Sequence, residues 1–166
     1  MSMMTIKDLE QVQSTLKQAG YDYQLELENG QILIVGLSDI YSSEIGVLFS
    51  RLLTNWVYPR RLGRVFDPAG GFILPNSDLK APDVSFVRAS RLRQGKRYFA
   101  EMVPDLVVEI KSQSDRIKPL IEKINMFLSQ GAIVGILIDP DLKTVTVYRL
   151  NGESTELGNG DALTIA

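Results

Sequence analysis

The segment from Leu106 to Ile138 constrains the fold of this chain more than any other. Its first residues, Leu106 to Lys111, are rich in β-branched side chains and predict a strand. Apolar residues then repeat at intervals of three and four, which predicts a helix with one apolar face: Ile117, Leu120, Ile121, Ile124, Phe127 and Leu128. A second strand is predicted from Ile133 to Ile138. A strand, a helix and a strand in this order indicate an α/β sheet core.

The two ends of this helix are also predicted. Ser112-Gln113-Ser114-Asp115 precede the apolar repeat. They are expected to begin the helix, because Ser and Asp side chains accept hydrogen bonds from the first N–H groups of a helix. Pro119 is tolerated because it lies near the first turn, and Gly131 is expected to end the helix.

Shorter periodic segments surround this core. Amphipathic helices are predicted from Thr5 to Gln18 and from Ile40 to Val57, and Asn29-Gly30 is expected to form the tight turn of a β-hairpin. Further strands are predicted at residues 64–66, 72–74, 84–87 and 144–149. We therefore expect an α/β (α+β) fold with a mixed central β-sheet flanked by helices, to which the N-terminal helix and the hairpin are additions. Residues 1–166 are expected to form a single domain.

The composition excludes several kinds of catalytic site. The chain contains no cysteine and no histidine, so disulfides, thiolate or imidazole metal sites, and Cys-His or Ser-His-Asp arrangements are all excluded. Any catalysis must use carboxylates, lysine, arginine, hydroxyls or a hard metal ion bound by oxygen. The longest apolar run, Ala132 to Ile138, is too short for a membrane span, and there is no apolar signal segment. We therefore expect a cytoplasmic protein with no membrane partner.

The informative chemical pattern consists of Asp83, which follows Pro82, and of Glu109 and Lys111 on the predicted strand. Side chains alternate along a strand, so Glu109 and Lys111 project from the same face about 7 Å apart. Asp105 lies on that face by parity, but at roughly 13 Å from Glu109 it is too distant to share one ion. Asp83, on a neighbouring predicted strand, is the better partner, and Asp105 is expected at the start of its strand.

Two carboxylates and a lysine at one point suit phosphodiester hydrolysis. Carboxylate oxygens hold a hard divalent ion such as Mg²⁺, which lowers the pKa of a bound water and offsets charge on the phosphate. The ordinary pKa of a lysine is about 10.4, and anionic neighbours favour its charged form. Lys111 is therefore expected to act by electrostatic stabilisation, not as a general base.

Two stretches of the chain carry only basic charges. The first, from Ile45 to Phe66, includes Arg51, and the second contains Arg88, Arg91, Arg93, Lys96 and Arg97. Either stretch alone is explained equally well as solvated surface, but two stretches that flank one acidic motif indicate contacts with DNA phosphates. Lys123 lies at the edge of the predicted apolar stripe and could reach the site as a second lysine, although a surface lysine with a buried stem is the favoured interpretation.

The acidic residues and their surroundings resemble a known family. Asp83 with Glu109-x-Lys111 is similar to the signature of the PD-(D/E)XK nuclease superfamily, a short pattern that also occurs by chance. The wider run, roughly from Gly30 to Leu150, resembles the Uma-type restriction endonucleases. Its motifs are Ala81-Pro82-Asp83-Val84-Ser85-Phe86-Val87, Pro104-Asp105-Leu106-Val107-Val108-Glu109 and Ser112-Gln113-Ser114-Asp115. The resemblance implies a restriction-endonuclease-like core.

The resemblance also implies roles for individual residues. Asp83 and Glu109 are then ligands of Mg²⁺ or Mn²⁺, the carbonyl of Ile110 completes the coordination sphere, and Lys111 is the catalytic lysine. Glu44, on the helix before the core sheet, is then an additional acid at the site. Without the resemblance, a glutamate at the border of a helix is expected to be solvated.

The function expected from these features is metal-dependent endonucleolytic hydrolysis of DNA, without an organic cofactor. A homodimer is expected by analogy, since a palindromic duplex presents two equivalent strands. A nuclease fold that binds nucleic acid or protein without catalysis is the alternative. A carboxylate-pair hydrolase such as a glycosidase is a weaker option, because of the adjacent lysine and the few aromatic residues near the motif.

Overall fold

The computed structural model describes residues 3–92 and 98–164, which form three α-helices and ten strands. The helices are α1 (Ile6–Gln18), α2 (Ile40–Val57) and α3 (Ile117–Gln130). The strands are β1 (Gln24–Glu28), β2 (Gln31–Val35), β3 (Gly63–Phe66), β4 (Phe72–Ile73), β5 (Leu79–Lys80), β6 (Val84–Arg88), β7 (Leu106–Ile110), β8 (Val134–Asp139), β9 (Thr144–Arg149) and β10 (Ser154–Leu157). Within these described ranges, no helix combines the length and apolar character that a membrane span requires.

A six-stranded sheet forms the centre of the fold, in the order β10-β9-β8-β7-β6-β3. The pair β7–β8 is parallel, and the other four neighbouring pairs are antiparallel. The parallel pair exists because α3 carries the chain from the end of β7 back to the start of β8. The prediction of a mixed sheet flanked by helices is confirmed.

The two faces of the sheet are covered by different helices. On one face, Val107 packs in a cluster with Ile124 and Phe127 of α3. On the other face, Val108 and Ile110 pack in a cluster that includes Ile45, Phe49 and Leu53 of α2. Because side chains alternate along β7, Glu109 shares the face of Val107 and points towards α3.

A second, four-stranded sheet lies beside the first, in the order β2-β1-β5-β4. Its core contains Leu25, Leu27 and Leu79, which pack against Leu9 of α1. The predicted hairpin between β1 and β2 is confirmed, with φ of 48° at Asn29 and 72° at Gly30. Strand β5 runs through a three-residue connection into β6, so the backbone joins the two sheets directly.

The predicted start of α3 was wrong. The helix begins at Ile117, and its N-cap residue, Arg116, makes no side-chain capping bond. Ser112 and Asp115 instead form a separate turn, in which the Ser112 N–H and Oγ donate to the Asp115 carboxylate at 2.8 and 2.6 Å. The capping-type residues therefore stabilise a loop that precedes the helix, by the same local hydrogen bonds that favour them at helix starts.

Close packing between α3 and β8 gives a test of this architecture. A Cβ added at Gly135 would overlap the side chain of Ile124, so Gly135→Ala should lower the free energy of unfolding by about 1–3 kcal/mol. At Gly46 in α2, a Cβ would lie 3.4 Å from Ile110, an ordinary contact. Gly46→Ala should raise stability by about 0.5–1 kcal/mol, because alanine is the better helix former. Urea denaturation measures both changes, and equal effects would contradict this packing.

Candidate active site

Four charged side chains meet where the two sheets adjoin. They come from four separate segments: Glu26 from β1, Asp83 from the connection between β5 and β6, Glu109 from β7, and Lys123 from α3. The Lys123 ammonium lies 3.0 Å from Oε1 of Glu109 and 3.7 Å from Oε1 of Glu26. We call these residues the four-residue cluster. Lys123 is thus the positive charge that the carboxylates share.

The register of β6 and β7 explains why Asp83 belongs to this cluster. Val84 is paired with Val108 in the antiparallel ladder, so Asp83, one residue earlier, comes opposite Glu109. The Ile110 N–H donates a hydrogen bond of 2.7 Å to Oδ2 of Asp83. The two predicted acids are therefore brought together, and the backbone of Ile110 lies beside them.

Glu26 also belongs to the cluster, although the sequence pattern did not predict it as a site residue. It is 7% exposed, and its Oε2 accepts a hydrogen bond of 3.2 Å from the buried ammonium of Lys80. Its Oε1 accepts a second bond, of 3.0 Å, from the Ala81 N–H. In an isolated hairpin, the alternation of Leu25 and Leu27 would place Glu26 on the solvent side. The sequence therefore contained no sign that a second layer covers this face.

Burial dominates the electrostatics of the acids. Glu109 is 2% exposed, and this burial raises its pKa to about 7, although the charge of Lys123 opposes the shift. Burial also raises the pKa of Asp83, against the hydrogen bond from Ile110. For Lys123, burial lowers the pKa, but the carboxylates of Glu109 and Glu26 outweigh it and raise the pKa above the ordinary value. Lys123 therefore stays protonated at neutral pH.

The oxygen atoms of the cluster are of the type that hard divalent ions prefer. Oε1 of Glu109 is fully buried, and its contact is the ion pair of 3.0 Å with the Lys123 ammonium. A carboxylate oxygen of this kind has a free lone pair that can coordinate a metal ion. Within residues 3–92 and 98–164, however, no three Asp or Glu side chains are grouped closely enough to surround an ion. The donor chemistry fits a metal, while the local positive charge in this structure comes from Lys123 beside Glu109 and from Lys80 beside Glu26.

Lys111 and Lys123 each lie in surroundings different from those predicted. Lys111 lies beyond the end of β7, and its ammonium donates to Oδ2 of Asp141 at 2.6 Å. This hydrogen bond raises the pKa of Lys111. The favoured interpretation of Lys123 as a surface lysine was wrong, because its side chain is only 22% exposed and pairs with Glu109. The missed signal was its place in the apolar repeat, one turn before the buried Phe127.

The remaining predicted residues lie away from the cluster. Glu44 and Arg51 are exposed on α2, which packs against the face of β7 opposite to Glu109. The geometry therefore gives no support to Glu44 as an additional acid. Arg88 and Arg91 make ion pairs of 2.8 and 2.9 Å with Asp105. Arg93, Lys96 and Arg97 lie outside the described residues.

A family model described as "Putative restriction endonuclease", Uma2, matches residues 8–165 of the chain. The chain belongs to the Uma2 family. No curated protein sequence matches it.

Two solved structures are similar in fold to the Uma2 chain. One is a crystal structure of a "putative nuclease belonging to DUF820" from Anabaena variabilis, with a TM-score of 0.75 and 26% identity over 86% of this chain and 80% of that chain. The other is a DrdV–DNA complex, with a TM-score of 0.50 and 16% identity over 72% of this chain but 10% of that chain. The first supports a nuclease function and a restriction-endonuclease-like fold, and the second is similar in fold alone.

Replacement of Lys123 by a neutral residue is expected to lower stability by an amount that depends on pH. Folding raises the pKa of Glu109 from 4.5 to about 7, so the folded state retains a proton that the unfolded state releases, and stability falls as pH rises through this window. Without Lys123, the pKa of Glu109 rises further. Lys123→Met in this Uma2 protein should therefore cost roughly 3 kcal/mol near about pH 8, and clearly less near about pH 5.

Lys118→Met is the matched control for this measurement, because Lys118 lies on the same helix and its side chain is 85% exposed. It should change stability by less than about 0.5 kcal/mol at both pH values. Denaturation in the presence of a chelator gives both numbers. A loss in Lys123→Met that is independent of pH would show that Lys123 does not compensate Glu109.

Proposed function

We propose that this protein is a divalent-metal-dependent endonuclease that hydrolyses DNA phosphodiester bonds at the four-residue cluster. Membership of the Uma2 family and the similarity to the Anabaena nuclease support nuclease chemistry. The observation that carries the proposal is the pairing of Glu109 and Glu26 with the partly buried ammonium of Lys123, beside the Asp83 carboxylate that the Ile110 N–H holds. Structural stability alone does not require Glu26, Asp83 and Glu109 to lie together with Lys80 and Lys123, since charged groups are costly to bury.

Asp83 and Glu109 would hold the ion, Mg²⁺ or Mn²⁺, with the Ile110 carbonyl as a further oxygen donor. When bound, such an ion supplies a water of lowered pKa and offsets negative charge on the phosphate. The unsatisfied Oε1 of Glu109 is an available donor atom. Glu26 is held by Lys80 and by the Ala81 N–H, so its orientation within the cluster is fixed.

Lys123 is the residue that we assign to electrostatic stabilisation of the phosphate. Its ammonium is kept protonated by Glu109 and Glu26 and also lies 3.4 Å from the Ala81 carbonyl. Such a preorganised positive charge stabilises developing negative charge without a cost of reorganisation. Lys111, which the family signature names as the catalytic lysine, pairs with Asp141 instead and is the competing candidate.

DNA as the substrate is supported by the fold shared with the DrdV–DNA complex. The ion pairs of Arg88 and Arg91 with Asp105 leave both side chains about 40% exposed, at 45% and 36%. These two arginines can therefore still contact a phosphate backbone. A homodimer, which would present one copy of the site to each strand of a duplex, is part of this proposal.

The first experiment measures Mg²⁺ and Mn²⁺ binding by calorimetry and nicking of supercoiled plasmid in the same buffers. Asp83→Asn and Glu109→Gln should lose metal binding and nicking together. Lys123→Met should retain metal binding but lower the nicking rate by at least about 100-fold. Lys118→Met, the exposed control, should nick at the wild-type rate.

Lys111→Met decides between the two lysines in the same assay. A wild-type rate in this variant, with loss in Lys123→Met, supports the assignment to Lys123, and the reverse result transfers the role to Lys111. If the wild-type protein binds neither ion and cuts no plasmid, the proposal fails. The fold would then serve nucleic-acid or protein binding, an alternative favoured by the lack of a grouped three-acid metal site in the described part of the chain.

A further inference from the structure

Helix α2 has an apolar stripe that no part of the described chain covers. Its inner residues, Ile45, Phe49 and Leu53, pack against the central sheet. A second line of large side chains is exposed: Tyr41 by 59%, Leu48 by 42%, Leu52 by 64% and Trp56 by 51%. Intervals of seven, four and four residues place them along one side of the helix. These side chains form a flank beside the inner residues, and we use the name outer stripe for them because they are exposed. An exposed apolar flank of this kind marks an interaction site.

The total exposed surface is larger than one compact chain of this size requires. The chain exposes 10953 Å², whereas a compact monomer of 18.5 kDa is expected to expose roughly 8,200 Å². The excess is greater than the roughly 800 Å² per partner that a standard protein interface covers. This excess belongs to the whole chain, and the exposed apolar side chains of α2 contribute a part of it.

The charges of α2 indicate what the partner is. The helix contains one acid, Glu44, and one base, Arg51. They lie four residues before and three residues after Leu48, on the same flank of the exposed stripe. If two copies of α2 pack antiparallel with a two-fold axis beside Leu48, each Glu44 lies next to Arg51 of the partner subunit. The surface is complementary to itself, which is the requirement for a two-fold interface.

We infer that the outer stripe of α2 is a homodimer interface, with Leu48 at its centre and Glu44 paired to Arg51 across the two-fold axis. Leu52 and the aromatic side chains of Tyr41 and Trp56 supply the apolar area, as aromatic residues commonly do at interfaces. This assigns a role to Glu44 and Arg51, which lie on the side of the sheet away from the four-residue cluster.

The interface is connected to the cluster through rigid contacts. Asp39 caps α2 and also accepts a hydrogen bond of 2.8 Å from the Gln113 N–H, just beyond β7. The inner side of α2 packs in the cluster of Ile110, the residue whose N–H bonds Asp83. A dimer through α2 would hold two sites at a constant separation. This last consequence rests on the proposed nuclease function, whereas the dimer itself does not.

The oligomeric state tests the inference independently of any activity. Sedimentation equilibrium at micromolar concentration should give the wild-type protein about twice its chain mass of 18.5 kDa. Leu48→Asp places two carboxylates together at the axis and should give a monomer. Val47→Asp is the matched control, because Val47 is 67% exposed and lies a quarter-turn or more away from the stripe. Both sites are exposed, so neither variant should unfold, and circular dichroism checks this.

Charge exchange tests the pairing itself. Glu44→Arg and Arg51→Glu should each raise the dissociation constant by at least about tenfold, because each brings like charges together. The double variant, Glu44→Arg with Arg51→Glu, should return it to within about threefold of the wild-type value. A monomeric wild type, equal behaviour of Leu48→Asp and Val47→Asp, or failure of the double variant to restore association would each overturn the inference. A dimer that cuts no DNA would leave it intact while removing the proposed nuclease function.

Discussion

The burial of Glu109 in the central strand is the constraint on which the candidate site depends. A carboxylate that is 2% exposed costs several kcal/mol to ionise unless a positive charge and hydrogen bonds compensate it. Lys123 supplies that charge only because α3 crosses the same face of the sheet, where Ile124 and Phe127 pack in one cluster with Val107. The apolar packing of α3 therefore positions the ammonium, and the electrostatics of the site follow from the hydrophobic core.

The position of Glu26, the third acid, depends on the junction of the two sheets. Strand β5 pairs with β1 and continues through Asp83 into β6, so one stretch of backbone contributes to both sheets. Lys80 on this stretch holds Glu26 at 3.2 Å, and the Ala81 N–H holds its other oxygen. Hydrogen bonds from the same few residues thus orient Glu26, while Asp83 receives its bond from Ile110. The acids are preorganised by backbone connectivity.

Helix α2 shows how one element can serve two surfaces. Its inner side covers the face of β7 that carries Val108 and Ile110, and this requires apolar residues at helical spacing. Its exposed flank carries Tyr41, Leu48, Leu52 and Trp56, large apolar and aromatic side chains that are unfavourable in contact with water. An amphipathic helix that only covered a sheet would have polar residues at these exposed positions. The association inferred for α2 gives a physical reason for the difference, and it separates the residues of assembly from the residues of chemistry.

The sequence by itself determined the elements that depend on local periodicity and turn chemistry. Helix α2, the Asn29-Gly30 hairpin, the strands around Glu109 and the pairing of Glu109 with Asp83 were all predictable, because alternation and helical spacing are properties of short segments. Only the tertiary structure decided the rest of the site. Glu26 and Lys123 come from segments far apart in the chain, and whether an acid or a lysine is buried depends on which second layer packs over it. Local patterns favoured Lys111, which lies two residues from Glu109. Strand β7 ends before Lys111, however, and the Lys111 ammonium pairs with Asp141. The crossover of α3 instead brings Lys123 to the buried carboxylate of Glu109.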